Sequence, residues 1–232
     1  MSPVKVVVLA VLVGIGFWMA LVAASLADDC PGLFLNLGTE LMGGVAIYFI
    51  LDHVIGSRER RETEERELQA HKKDLIARMS SRVHDVAIAA AEELGRRGWL
   101  KDGTLKGVRL LDARLEGVQL IEAKLQGAIL INASLQRAQL SFADLQGAQL
   151  FLADLQGAIL IGTNFKGADL REANLEKATL PLVAGFDEKT RLPDWAWWTP
   201  HTDMARFTDP QHPQFWRSDV PISPAYKPSG TE

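Results

Sequence analysis

The 232-residue sequence predicts a mainly β solenoid preceded by a two-helix transmembrane hairpin and a cytoplasmic helix. Two apolar runs open the chain, and a Pro-free stretch rich in Glu, Arg, Lys and Ala follows. An apolar residue then recurs every five positions from Leu105 to Leu180. These features divide the chain into a hairpin (1–56), a helical connector and N-terminal cap (57–101), a solenoid (102–181) and a Pro/Trp-rich C-terminal cap and tail (182–232). The formal net charge of −4 offers neither the basic excess that nucleic acid attracts nor the strong acidity of a polyanion mimic. With one cysteine, Cys30, the chain has no intrachain disulfide and no Cys-rich metal site.

Val6 to Ala27 carries no charge, and a bilayer core needs about 20 such residues as a helix. Leu33 to Leu51 is a second run with Glu40 as its one charge. Asp28-Asp29-Cys30-Pro31-Gly32 separates them as an acidic turn, whereas Lys5 and then Arg58, Arg60 and Arg61 flank the outer ends. The positive-inside rule therefore places both outer ends in the cytoplasm. Ser25-Leu26-Ala27 also fits a small-x-small cleavage site, which leaves removal of residues 1–27 open. Against it, the run exceeds a signal peptide's apolar core of about 7–15 residues. Ala10/Gly14 and Gly16/Ala20/Ala24 have the small-xxx-small spacing that lets helices approach closely. Asn36 and Glu40 share a helical face as intramembrane polar residues. An intramembrane carboxylate costs about 3 kcal/mol, so Glu40 is expected to hydrogen-bond a neighbouring helix or stay protonated.

Ser57 to Arg97 is rich in Glu, Arg, Lys and Ala, which are strong helix formers. Through Lys73 it is charged on nearly every face, the pattern of a solvated stalk; Leu68 and Leu75 alone are too few for a zipper. Val83, Val86, Ala87, Ala90, Ala91 and Leu94 then form one apolar stripe, and Gly95 and Gly98 fit a helix stop.

Period five fits no regular element. On an α-helix, five residues advance about 500°, so the leucines would spiral over every face. On a straight strand an odd period flips each leucine to the other side. The leucines share one interior only if the chain turns once per repeat. A small residue, usually Ala (Ala113, Ala123 and onward to Ala178), precedes each apolar position by two and points inward with it. Gly107, Gly117, Gly127, Gly147, Gly157 and Gly167 fall in the corners, where turn conformations favour glycine.

The segments Ala153-Asp154-Leu155-Gln156-Gly157, Ala168-Asp169-Leu170-Arg171-Glu172 and Ala173-Asn174-Leu175-Glu176-Lys177 resemble the pentapeptide-repeat family, whose consensus is close to A-[DN]-L-x-x. The resemblance runs from about Gly103 to Pro181 without a frame shift. It implies a right-handed quadrilateral parallel β-helix, four pentapeptides to the coil and about four coils. At about 4.8 Å per layer the solenoid is then on the order of 20 Å tall. Its interior is filled by side chains and leaves no room for a substrate.

The residue after each central leucine alternates in character, polar in one set and mostly apolar in the other. On a square coil, Leu111, Ile131, Phe151 and the neighbouring Leu152 stack on one outer face, and Ile121, Phe142 and Ile161 on the opposite one. Exposed apolar columns mark contact surfaces unless the connector or the tail covers them, and the sequence leaves both open.

Past Pro181 the tail has no periodicity. Its Trp195, Trp197, Trp198 and Trp216, interspersed with prolines, resemble the terminal segment of bacterial membrane-associated members of the same family and suit a solenoid cap. Residues 222–232 are expected to be disordered. His201, Asp203, Asp209 and His212 lack a tight ligand motif, so no metal or other cofactor is expected.

No phosphate loop, nucleophile elbow or placed Ser/His/Asp set is present in the sequence, and lone Asp and Glu on the repeats read as solvated. The expected function is that of a non-catalytic scaffold in the bacterial inner membrane, with N-terminus and β-helix cytoplasmic, contacting an unidentified protein or a second copy. Two alternatives are a DNA mimic that binds a topoisomerase and a sensor of membrane stress or organisation. The first is disfavoured because the repeats carry eight basic and eight acidic residues between 105 and 180. No nucleic-acid partner is expected.

Overall fold

The computed structural model of the protein describes Trp18, Val22, residues 31–180 and residues 185–226; residues 31–42, 45, 46 and 51 are described by backbone alone. Two compact units divide the chain, Met1–Leu68 and Gln69–Glu232.

Helix α1, Pro31–Met79, begins in the first unit. Pro31 and Gly32, expected in the turn, are instead its first residues, where proline's missing N–H and fixed φ are favourable. The first expected span, Val6 to Ala27, lies outside the described residues apart from Trp18 and Val22. Among the described residues no helix is long and apolar enough to cross a membrane. The transmembrane hairpin is therefore not supported at the level of the fold.

In the second unit, α1 ends by packing Leu75 and Met79 into the core. The expected continuous connector breaks at residues 80–83, where Val83 N–H donates to the Ser81 hydroxyl and α2, His84–Arg96, starts afresh. A local side-chain bond of this kind competes with the helix ladder. Helix α2 buries Ala87, Ala90, Ala91 and Leu94, whereas Val83 and Val86, expected on the same stripe, are exposed. Gly98, at φ +73°, ends α2: Trp99 N–H donates to Leu94 C=O and Gly98 N–H to Gly95 C=O. That paired pattern is a Schellman stop.

Lys72 fixes the end of α1 to the start of the solenoid. Its ammonium donates to Asp102 at 2.7 Å and Thr104 at 3.1 Å and lies 4.9 Å from the Trp99 ring centre. Burial opposes ionisation of Asp102, but the hydrogen bonds from Lys72 and Thr104 outweigh it and hold the carboxyl at about 2.

The solenoid follows from one turn repeated. At all fifteen turns the small residue's N–H donates to the C=O of the central apolar residue three positions earlier, from Val108 on Leu105 to Ala178 on Leu175. The third residue of every turn, from 107 to 177, has positive φ. This combination is the type II pattern. Seven of these fifteen residues are glycine; the rest, including Phe142 and Leu152, hold a conformation that disfavours a side chain by about 1 kcal/mol. Each turn takes four residues, so one residue per repeat is left to pair with the next coil. Arg109 bridges Ile129, Arg114 bridges Ser134, and every such parallel bridge between repeats joins residues twenty apart. Each coil therefore holds four pentapeptides. The sides are single-residue bridges, not strands, which corrects the expectation of a mainly β chain in detail.

Leu105 through Leu160, Phe165 and Leu170 are buried, as are the small residues from Ala113 to Ala178. Thr163 replaces a small apolar residue, and its hydroxyl donates to Leu140 C=O at 2.8 Å, so no polar group is orphaned.

Both ends are covered. Lys124 N–H donates to Leu100 C=O and Arg114 N–H to Ser81 C=O at the first coil. At the last, Gly185 and Arg191 bridge Asn164 and Asp169 in the place of further repeats. Phe186 stacks on Phe165 at 5.3 Å, and Leu192, Thr190 and Phe207 are buried. Helix α3, Ala205–Thr208, accepts Lys177 N–H through the Thr208 carbonyl. Residues 222–226, expected to be disordered, are tied down: Ser223 Oγ donates to Glu172 C=O at 3.0 Å and Tyr226 bridges Ser218. Residues 227–232 lie outside the described residues.

Two substitutions test this construction. Leu145→Asp buries an unpaired carboxylate in the column of leucines and should remove the cooperative thermal transition of the repeats; a circular dichroism melt like that of the wild type would contradict the inward placement. Gly162→Ala puts a Cβ 2.6 Å from the Phe142 ring at φ +70°. It should destabilise by about 2 kcal/mol, and Phe142→Ala should recover part of that loss in a double-mutant cycle. Additive losses would show that the ring does not press on the glycine.

Candidate interaction surface

The outer apolar residues follow the twenty-residue register. Asp112 N–H donates to Ile131 C=O, Asn132 N–H to Phe151 C=O and Leu152 N–H to Arg171 C=O, which stacks 111, 131, 151 and 171 in one column. Glu122 N–H on Ser141 C=O and Phe142 N–H on Ile161 C=O build the second column, two repeats away around the coil. Both lie in the turns, so they occupy opposite corners of the square and not its flat sides.

The two corners differ in what covers them. At the first, Leu111 is exposed (47%), but Ile131, Phe151 and Leu152 are half-buried. Trp195 from the tail meets Phe151 edge to face at 6.4 Å, and Arg171 lies between them, 5.7 Å from Phe151 and 4.7 Å from Trp195. The tail thus covers part of this corner, one of the two outcomes the sequence left open. At the second corner Ile121 (39%), Phe142 (62%) and Ile161 (44%) are all exposed. The Phe142 ring lies over Gly162, which has no Cβ to push it off. Ile121 also lines a shallow groove of about 370 Å³ with Ala91, Glu92, Gly95, Arg96, Leu100 and Gln119.

Apart from Ile129 and Ile159, the side residues are polar, and several are paired with neighbouring coils. Asn164 Nδ2 donates to Asp144 Oδ1 at 2.9 Å and Asn174 Nδ2 to Asp154 Oδ1 at 3.0 Å, and at a corner Asn132 Nδ2 makes the same bond to Asp112 Oδ1 at 2.7 Å. Asn and Asp thus suit successive coils of a column: one donates where the other accepts. Burial pushes the Asp154 carboxyl above its ordinary value despite the donors around it. Burial acts the same way on Asp169, but the Arg171 guanidinium outweighs it and lowers that carboxyl.

Some acidic residues expected to be solvated are not. Glu172 is buried: its Oε1 accepts Trp195 Nε1–H at 2.7 Å and its Oε2 accepts the Ser218 hydroxyl. It fastens the tail to the last coil, a role invisible in the sequence because its partners lie 23 and 46 residues away. Glu176 is buried as well, beside a cleft of about 110 Å³ between Asp154, Asn174, Trp216 and Arg217.

Among the described residues no three His, Cys, Asp or Glu side chains converge on a metal position. His212 Nε2 meets Asp203 Oδ2 at 3.0 Å and its Nδ1 accepts Gln214 N–H at 3.1 Å, so it closes a loop. The side chains of Asn36 and Glu40 lie outside the described residues.

A family model described as pentapeptide repeats matches residues 113–150 and 148–182, in eight copies. Rfr23, a pentapeptide repeat protein from the cyanobacterium Cyanothece 51142, is 35% identical over 38% of this chain and 68% of its own, with a TM-score of 0.23. The protein alr5209, a pentapeptide repeat protein from Nostoc Pcc 7120, is 33% identical over 51% of this chain and 90% of its own, with a TM-score of 0.35. QnrB1, a plasmid-mediated fluoroquinolone resistance protein, is 16% identical over 37% of this chain and 61% of its own, with a TM-score of 0.23. No curated protein matches the sequence. Membership rests on the repeats and on identity over nine-tenths of alr5209, not on these superpositions. The chain belongs to the pentapeptide-repeat family, whose members fold as right-handed β-helices.

Proposed function

We propose that the protein is a membrane-anchored, non-catalytic scaffold whose cytoplasmic β-helix presents an apolar corner to a protein partner. The observation that carries this reading is the corner of Ile121, Phe142 and Ile161, three large apolar side chains left exposed on a solenoid whose other corner is partly covered by its own tail. Contiguous apolar surface of this kind marks contact sites. The rigid turns beneath it hold the side chains in place, so binding would order little that is not already ordered.

The membrane anchor is supported by the sequence of the first 56 residues and by exposed Ile47, Phe49, Ile50, Val54 and Ile55 on α1. Arg58, Arg60 and Arg61 follow at the position where positive charge marks the cytoplasmic side. Mimicry of DNA has the balanced charge of the coils against it: eight basic and eight acidic residues make no anionic face.

A photo-crosslinking residue at position 142, in native membranes, should give a discrete adduct, and the same residue at position 149, on a polar side, should not. Ile121→Ser with Ile161→Ser should abolish the adduct while lowering the unfolding free energy by no more than about 1 kcal/mol. An adduct unchanged by those substitutions, or none at all, would refute the corner as a contact surface.

A further inference from the structure

We infer that the groove between α2 and the Ile121 corner is a contact with a second copy of this chain, with the two α2 helices antiparallel across a two-fold axis. This rests on the reading of the apolar corner as a protein contact and names its occupant. The groove has an apolar floor, Ala91, Leu100 and Ile121, and it runs into the corner at Ile121. Gly95 is exposed and has no Cβ, and a Cβ there would meet Leu100 Cδ1 at 3.4 Å, so the α2 surface is low at this point and a second helix can approach it closely.

The choice of occupant comes from charge. Glu92 and Arg96 both line the groove, one helical turn apart, and both are exposed. A two-fold axis at the level of Leu94 sets each Glu92 against the second copy's Arg96, and one operation makes both pairs. The same surface is its own complement, whereas a different protein would have to supply the opposite pair at matching spacing. Arg96 also pairs with Glu93 of its own helix at 2.6 Å and stays exposed. Val86 and Ala89, exposed on the same helix, add apolar surface that α2 does not use within the chain.

The test uses the full chain in detergent, with its mass read by light scattering after subtraction of the micelle. The wild type should have twice the mass of the 25.5 kDa chain. E92R and R96E should each weaken dimerisation at least tenfold at low salt, because each places like charges at both pairs, and E92R/R96E together should restore it. Circular dichroism melts should show all three variants folded, since both side chains lie at the surface. A monomeric wild type, or a dimer indifferent to all three variants, would overturn the inference; the latter would place the contact elsewhere, as in the apolar N-terminal runs. A monomer that still gives the position-142 adduct would sink the dimer alone and leave the scaffold reading standing. Loss of that adduct with an intact, charge-sensitive dimer would do the reverse.

Discussion

Every coil depends on a corner that turns through a left-handed residue. With one such residue in five, the chain bends four times in twenty residues and returns one layer higher, directly above where it began. The hydrogen bond across each turn closes the corner, and the single bridging residue between turns registers it on the next coil. Leucine and alanine then point inward at fixed places, so the core is stacked like on like. The penalty for Phe142 and Leu152 in left-handed conformation is held by this frame: a corner that relaxed would lose its bridge and its leucine together.

The same register builds the surface. A core position repeated every twenty residues stacks into a column, and so does a corner position. Apolar residues at alternate corners therefore become two stripes at opposite edges. What separates them is not the repeat but the tail. Trp195 reaches the Phe151 stripe because Glu172 and Ser218 anchor the returning chain there. The Ile121–Phe142–Ile161 stripe has no such cover among the described residues and adjoins the groove beside α2 instead.

The repeats were the most legible part of the sequence, because period five admits only a chain that turns once per repeat. Inward Leu and Ala, the glycine corners and the membership of the two apolar columns all follow from counting. Counting could not show that the stripes sit on corners, since that depends on which residue of the turn takes positive φ, and Phe142 or Leu152 would not be chosen for it. Nor could it show the burial of Glu172, whose partners are distant in the chain, or the break after Met79, where a Ser81 side-chain bond replaces a helical one inside a long run of helix formers. Val83 and Val86 fit the apolar stripe by spacing, yet they stay exposed because four small or aliphatic residues, Ala87, Ala90, Ala91 and Leu94, already fill the contact with the first coil.

The central claim is that the open corner is occupied in the cell while the corner beneath Trp195 is served by the chain itself. Hydroxyl-radical footprinting, read residue by residue in native membranes and on the purified protein, separates the two. The account predicts that Phe142 is protected in membranes and reactive when purified, with Phe151 equally guarded in both. Equal reactivity of Phe142 in the two preparations would contradict it.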